Sequence, residues 1–316
     1  MIDVDQAYRA VIAIVALFAI TVFFTLNPHP VYAQTSISAS PCPDTDPTAF
    51  HRCVSEGPQL DPPRTPEGWP DMGGIWLGPG GALEDLEEHP EGLDDNGGPT
   101  VVVDPPDGRV PMQTWSDARR QENAQNYIHP SAACFVSGVP HTMYRPGPIQ
   151  FLQSTDHLVI LSSRAHAYRI VYLEEFPPLD ENVRLWNGDS RGRWEGDTLV
   201  IETTNQNGKA WLDQRARFYT EEAHVVERLT LVDQNTLHYQ ATIEDPNVYT
   251  TPFTIAFPYR RHSDEDFEIM EEACYETNEA LLEIYRSLGF SIFSGISSEE
   301  AREALDQGDT VPLQTR

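Results

Sequence analysis

A turn followed by a short β-branched strand recurs along the second half of this chain, and that repetition limits what it can fold into more than any other feature. Trp186 to Thr204 reads WNGDSRGRWEGDTLVIETT: a polar, glycine-punctuated loop, a tight turn at Glu195-Gly196-Asp197, and then the β-branched apolar run Thr198 to Thr204. A second unit starts 38 residues on (236 − 198) at Thr236, behind the turn Asp233-Gln234-Asn235. Strands are expected at Ile149–Gln153, Leu158–Ser163, Tyr168–Leu173, Thr198–Thr204, His224–Val232, Thr236–Glu244, Thr251–Tyr259 and Phe267–Tyr275. Eight short strands separated by turn signals make the chain mainly β, an antiparallel lipocalin-like barrel or a sandwich. Alternation along Val225–Leu231 and Leu237–Ile243 gives each strand one core face and one polar face. From Leu199 the inward set is Leu199, Ile201 and Thr203. Trp194 is expected to turn back onto that face as a core anchor, with Asp189, Ser190 and Arg191 in a loop at the barrel mouth.

Four regions follow from this pattern: 1–33, an irregular leader 34–126, a β-domain 127–276 and a helical segment 277–316. The leader is rich in Pro, Gly and acid, as at Pro62-Pro63 and Gly78-Pro79-Gly80-Gly81, so little of it should be regular. Its acidic run, Glu84 to Asp95, reads as a solvated or partly disordered face, with calcium binding second because the spacing does not match a calcium loop. Two islands, Trp69–Trp76 and Thr100–Val103, should lay apolar side chains on the later domain. A short helix is expected over Ser116–Tyr127 with Ser116 as N-cap, and two more over Asn278–Leu288 and Glu299–Gln307, the last capped by Ser297 or Ser298.

Residues 1–33 have the form of a secretory signal peptide: Arg9, an apolar run Val11–Thr25, and Val31-Tyr32-Ala33 as a small-residue cleavage site. The alternative is an uncleaved anchor, which Asn27, Pro28 and Pro30 argue against and the acidic Asp3 and Asp5 leave open. Either way the reading places the protein in the periplasm or outside the cell. The formal charge is −28; the leader contributes −1 (Asp3, Asp5, Arg9), which leaves −27 on the rest. Such a charge repels nucleic acid and anionic lipid, so neither is an expected partner, and a membrane enters only if the N-terminal segment stays attached. Lys209 is the only lysine, which argues against Schiff-base chemistry. No cofactor is implied. Four cysteines in an exported chain suggest two disulfides with three possible connectivities. Cys42 with Cys53 is the simplest local loop, which leaves Cys134 to tie the start of the β-region to Cys274 in its last expected strand. No C-x-x-C, H-x-H or H-E-x-x-H spacing is present, so a metal site would need histidines 129, 141, 166, 224 and 238 to converge in space.

Four blocks together resemble a widespread, largely uncharacterised family of exported bacterial proteins, common in acidobacteria and proteobacteria. They are Arg64–Asp71 with Gly74-Ile75-Trp76; Cys134–Tyr144 with Ala165–Arg169; the GDSRGRWEGDTL block, Gly188–Leu199; and Val226-Glu227-Arg228 through the TIEDP block, Thr242–Pro246, to Cys274. The resemblance implies export and a fold shared over most of the chain, and it carries no activity across. Many members of that family have glutamate where this chain has Ser163 and histidine where it has Tyr219, so chemistry resting on either would be altered here.

Candidate chemistry centres on a few polar residues. Gly188-Asp189-Ser190-Arg191-Gly192 fits G-x-S-x-G, yet a nucleophile elbow needs a strand before the serine and a helix after it, and no helix follows here. His166 and Arg169 flank Tyr168; period-two alternation puts Arg169 on the opposite face from His166 and Tyr168. Glu227 and Arg228 also face opposite ways, so whichever points inward must be paired, with Arg191, Arg193, Glu195 and Asp197 as available partners. The leading expectation is an exported barrel binding a small, partly apolar molecule, with Arg169, Arg191, Tyr219, Glu227 and Arg228 as ligand-binding candidates and turnover by His166 and nearby acids as an extension. Two alternatives stand beside it: a hydrolase or lyase built on Ser190, Asp189 or a His166-centred acid/base pair, and a non-catalytic envelope interaction protein.

Overall fold

A computed structural model describes residues 41–57, 61–79, 84–92, 97–173, 176–264 and 266–307. The expected signal peptide, 1–33, lies outside the described residues. In chain order the elements are α1 (Pro47–Glu56), β1 (Gly74–Leu77), β2 (Val102–Asp104), α2 (Thr114–Asn126), β3 (Tyr127–Ile128), β4 (Pro148–Gln153), β5 (His157–Ser162), β6 (Tyr168–Tyr172), β7 (Asp189–Glu195), β8 (Thr198–Thr204), β9 (His224–Asp233), β10 (Thr236–Glu244), β11 (Phe253–Arg261), α3 (Cys274–Ser287), β12 (Ser291–Ile292) and α4 (Ser298–Gln307).

Nine strands close into a barrel in the order β1-β4-β5-β6-β7-β8-β9-β10-β11, sealed by Trp76 opposite Arg261 and Leu77 opposite Arg260. β2 lies outside the ring and pairs with the first half of β11. A ring of nine strands cannot reverse direction at every step and still close, so at least one neighbouring pair must be parallel. That pair is β6 and β7, joined in register at Val171–Ser190 and Tyr172–Arg191. Parallel neighbours need a long crossover, which segment 173–188 supplies. Short turns connect β4 to β5, β7 to β8 and β9 to β10.

The expected fold class stands, while three of its parts are corrected. Phe267–Tyr275 is not a strand: 267–273 runs irregularly and Cys274 opens α3. The reason is topological, because β1, from the leader, already occupies the place between β4 and β11, and a closed barrel has no free edge for another strand. Asp189–Arg191 is not a mouth loop but the start of β7. Ser116 does not cap α2; the helix begins at Thr114, and the buried Ser116 hydroxyl donates instead to the carbonyls of Gln113 and Val248. At α4 the expected cap is present: Ser297 Oγ accepts from Glu300 N, and Glu300 Oε2 accepts from Ser297 N, a reciprocal capping box.

Inward-facing side chains fill the barrel. Leu199, Ile201 and Thr203 point in as the alternation requires, opposite Leu229, Glu227 and Val225 of β9. Trp76, Phe151, Tyr239, Phe253, Phe257 and Tyr259 are almost wholly buried and occupy the volume in which a lipocalin-like barrel would hold a ligand. Trp194 shares the inner face with Leu199 but is only half-buried, at the rim, stacked on Trp69 with ring centroids 5.2 Å apart and planes 5° from parallel. It is a rim residue closed over by the leader rather than a core anchor.

Both disulfides form as the sequence suggested. Cys42–Cys53 braces α1, which packs on the outside of β10 and β11 through Phe50 and His51 against His238. Cys134–Cys274 joins the segment after β3 to the first residue of α3 across 140 positions.

Candidate functional site

Inside the barrel the sequence candidates Arg169, Ser190 and Glu227 do come together. Alternation on β6, β7 and β9 aims all three inward, and the parallel β6–β7 register brings Arg169 beside Ser190. Arg169 Nη1 donates to Glu227 Oε1 at 3.0 Å, Nη2 meets Oε2, Nη2 donates to Thr203 Oγ1 at 2.8 Å, and Nε donates to Ser190 Oγ at 2.8 Å. Tyr239 donates its hydroxyl to Glu227 Oε1 at 2.8 Å. Burial, followed by the Glu227 carboxylate, pushes the Tyr239 phenol well above its ordinary value, so it stays a donor. Every polar group of this cluster has a partner, and no side chain in it reaches solvent. Ser190 is 2% exposed and its hydroxyl is engaged by Arg169 and Thr203, so it meets neither the access nor the base that a nucleophile needs.

The G-x-S-x-G match has a backbone explanation. Gly188 sits at φ +64°, where a Cβ would run into the Thr204 carbonyl oxygen, and a Cβ on Gly192 would lie 2.7 Å from Leu173 Cδ2 and 2.8 Å from Val171 Cγ1. Both glycines serve the entry to β7 and the packing inside it.

The remaining candidates have other roles. Asp189 is buried, accepts both Nε and Nη2 of Arg191, and takes the backbone N–H of Leu179 at 3.1 Å, which pins the crossover to β7. Arg191 also lies over the Tyr172 ring, 4.8 Å from its centroid. Arg228 faces outward and pairs with Glu195 at 3.0 Å, one of the partners expected for it; the inward Glu227 takes Arg169, which was not among them. Tyr219 is buried and donates to Gln206 Oε1 at 2.8 Å, and that amide in turn holds both backbone polar groups of Val139. Burial pushes the Tyr219 hydroxyl above its ordinary value. The Arg164–His166 turn precedes β6, with Ala165 in the left-handed region. The side chain of His166 lies outside the described residues, so its expected acid/base role has no geometry to rest on.

A groove of about 600 Å³ lies open beside this turn on the outer face of the barrel. Ile75, Leu161 and Ala167 supply an apolar floor, and the irregular segment Phe267–Glu271 forms one wall. Tyr168 and Met270 also line it and are 66% and 78% exposed. Polar groups come from Gln150, Ser163, Glu268 and Glu271. The segment is tied down just beyond the groove, where Glu272 accepts from Arg164 Nη1 and from the backbone N–H of Ala165 at 2.7 Å. The residues expected to form a final strand therefore wall this groove instead, and no sequence signal distinguishes the two.

A second cluster forms where histidines far from each other in motif spacing converge. His129 and His141 have ring centroids 5.4 Å apart, and His129 lies 5.1 Å from the Trp211 ring. Burial, then the charge of Arg145, pulls the His129 imidazole down to about 3; burial, then His129 and Arg145, holds His141 well below its ordinary value. Burial also lowers Arg145 to about 10. Among the described residues no group of three or more His, Cys, Asp or Glu is placed to hold a metal ion.

In comparison with known proteins, no family model matches the chain and no curated protein matches it.

Proposed function

We propose that this is an exported binding protein whose ligand, a small and partly apolar molecule, lies in the outer groove between Tyr168 and the 267–271 segment. The carrying observation is the contrast between the two concave regions a barrel offers: the interior is packed with aromatic side chains, while the outer groove keeps about 600 Å³ open beside an apolar floor. Burying Leu161, Ile75 and Ala167 under a ligand contributes at roughly 25 cal/mol per Å² of apolar area, and the Glu268 carboxylate in the wall favours a ligand with a hydrogen-bond donor or cationic end. Ser163, where many members of the family this chain resembles have glutamate, lines the same groove. Export and a periplasmic or extracellular site belong to this proposal. They are supported by the N-terminal sequence and by two disulfides.

Mass spectrometry of small molecules carried through purification from the native envelope tests the reading, with Ala167→Phe filling the floor and Tyr168→Ala removing one wall. The wild type should retain a defined molecule that Ala167→Phe loses. Retention of the same molecules by both variants, or of none by the wild type, overturns it. One observation favours the envelope interaction reading instead: the crossover exposes Phe176, Leu179, Val183 and Leu185. That reading is adopted if cross-linking from the crossover captures one defined envelope protein while the groove retains nothing.

A further inference from the structure

We propose that His129, His141, Arg145 and Trp211 form a second binding site, separate from the groove, for a small oxyanion that carries a hydroxyl group, the chemistry of hydrogen phosphate. Four buried polar atoms lead there. His129 Nε2, His141 Nε2, Arg145 Nε and Trp211 Nε1 are all shielded from solvent and make no hydrogen bond among the described residues. Buried polar atoms without partners are uncommon in native proteins, and each calls for a ligand, an ion or a water to satisfy it. Here four of them sit on side chains linked by adjacent rings or by the charge of Arg145.

Their hydrogen positions follow from their neighbours. The backbone N–H of Ser131 donates to His129 Nδ1 at 3.0 Å, so that nitrogen is bare and the neutral ring carries its proton on Nε2. The carbonyl of Trp211 can only accept, so His141 Nδ1, 2.6 Å away, bears the proton and His141 Nε2 presents a lone pair. The cluster therefore offers three N–H donors, on His129, Trp211 and Arg145, and one acceptor, on His141. Arg145 adds a positive charge without a hydrogen-bonded counterion among the described residues. Glu272 acts on it only through space, its oxygens being held by Arg164 and Ala165 N.

Ligand classes separate on this pattern. A metal cation is disfavoured twice, by the guanidinium and by the proton that His129 directs outward from its free nitrogen. An apolar ligand would leave four polar atoms unpaired, at about 1 to 3 kcal/mol each. A fully deprotonated oxyanion satisfies the three donors and faces the His141 lone pair with oxygen. An oxyanion with one O–H satisfies all four: its oxygens accept from His129, Trp211 and Arg145, and its hydroxyl donates to His141 Nε2.

Isothermal titration calorimetry on the full disulfide-bonded protein at pH 7.5 tests this with inorganic phosphate and sulfate at matched ionic strength. Phosphate should bind saturably, and sulfate, which has no O–H at that pH, at least tenfold more weakly. Arg145→Gln should weaken phosphate at least tenfold. His129→Gln serves as a second variant if Arg145→Gln fails to fold, and should weaken phosphate similarly. Methyl phosphate, a dianion without an O–H at that pH, should bind as weakly as sulfate; binding comparable to inorganic phosphate overturns the role assigned to the hydroxyl. Equal affinity for phosphate and sulfate, no heat with either, or unchanged phosphate binding in the folded variant overturns the assignment and leaves the four atoms to water.

Discussion

Removing one member of the buried Arg169–Glu227 pair should cost far more than removing both. Arg169→Met leaves the Glu227 carboxylate among apolar side chains with only Tyr239 as a donor, and Glu227→Leu leaves the guanidinium with only the Ser190 and Thr203 hydroxyls. Each single change should destabilise by about 3 to 5 kcal/mol, the cost of an uncompensated buried charge. In the double variant both charges are gone. Ser190 and Thr203 still hydrogen-bond to each other at 3.1 Å, and the residual loss is the Tyr239 hydroxyl stripped of its acceptor, about 1 to 3 kcal/mol. Adding Tyr239→Phe should recover most of that. Urea unfolding with a shared m-value gives the cycle, and the coupling energy should be about 5 kcal/mol in favour of the pair. Single-variant costs under about 1 kcal/mol, or a double variant as costly as the sum of the singles, would refute the sealed-network account and return Arg169 to the list of ligand contacts.

Opening Cys134–Cys274 should cost about 5 kcal/mol and opening Cys42–Cys53 about 3 on the loop-entropy relation, given separations of 140 and 11, as paired Cys→Ser variants in denaturant would show. Trp194→Ala should cost about 2 to 3 kcal/mol, less than truncation of a wholly buried aromatic, and should abolish the exciton feature of the Trp69–Trp194 stack in circular dichroism. Burial, and secondarily the neighbouring charge, lowers His129 and His238 to about 3, so both are neutral in the folded state. Their contribution is complete above the unfolded value near 6.5 and is lost as pH falls toward 3. Between pH 6.5 and 5 it should fall by about 2 kcal/mol per histidine, and because buried His141 is held down as well, His238→Gln should remove about a third of the slope that these three histidines give to unfolding free energy against pH in that window.

Period-two alternation and turn chemistry determine much of this protein locally. They place β4 to β6 and β8 to β10 within a residue at either end, choose Leu199, Ile201 and Thr203 as inward residues, and put Glu227 and Arg228 on opposite faces, because side-chain direction along a strand depends only on parity. The short Cys42–Cys53 loop is likewise a matter of spacing. Closure is not local. Which strand seals the barrel depends on which edges remain unpaired, so a four-residue piece of the leader, Gly74–Leu77, takes the place that Phe267–Tyr275 was expected to fill. The parallel step from β6 to β7 follows from the odd strand count, a property of the whole ring. The same step seats Arg169 beside Ser190 and turns apparent catalytic and ligand-binding residues into an internal brace. Convergence is likewise tertiary: His129, His141 and Trp211 belong to no spacing motif, and folding of the 128–148 and 210–219 segments brings their rings within 5.4 Å.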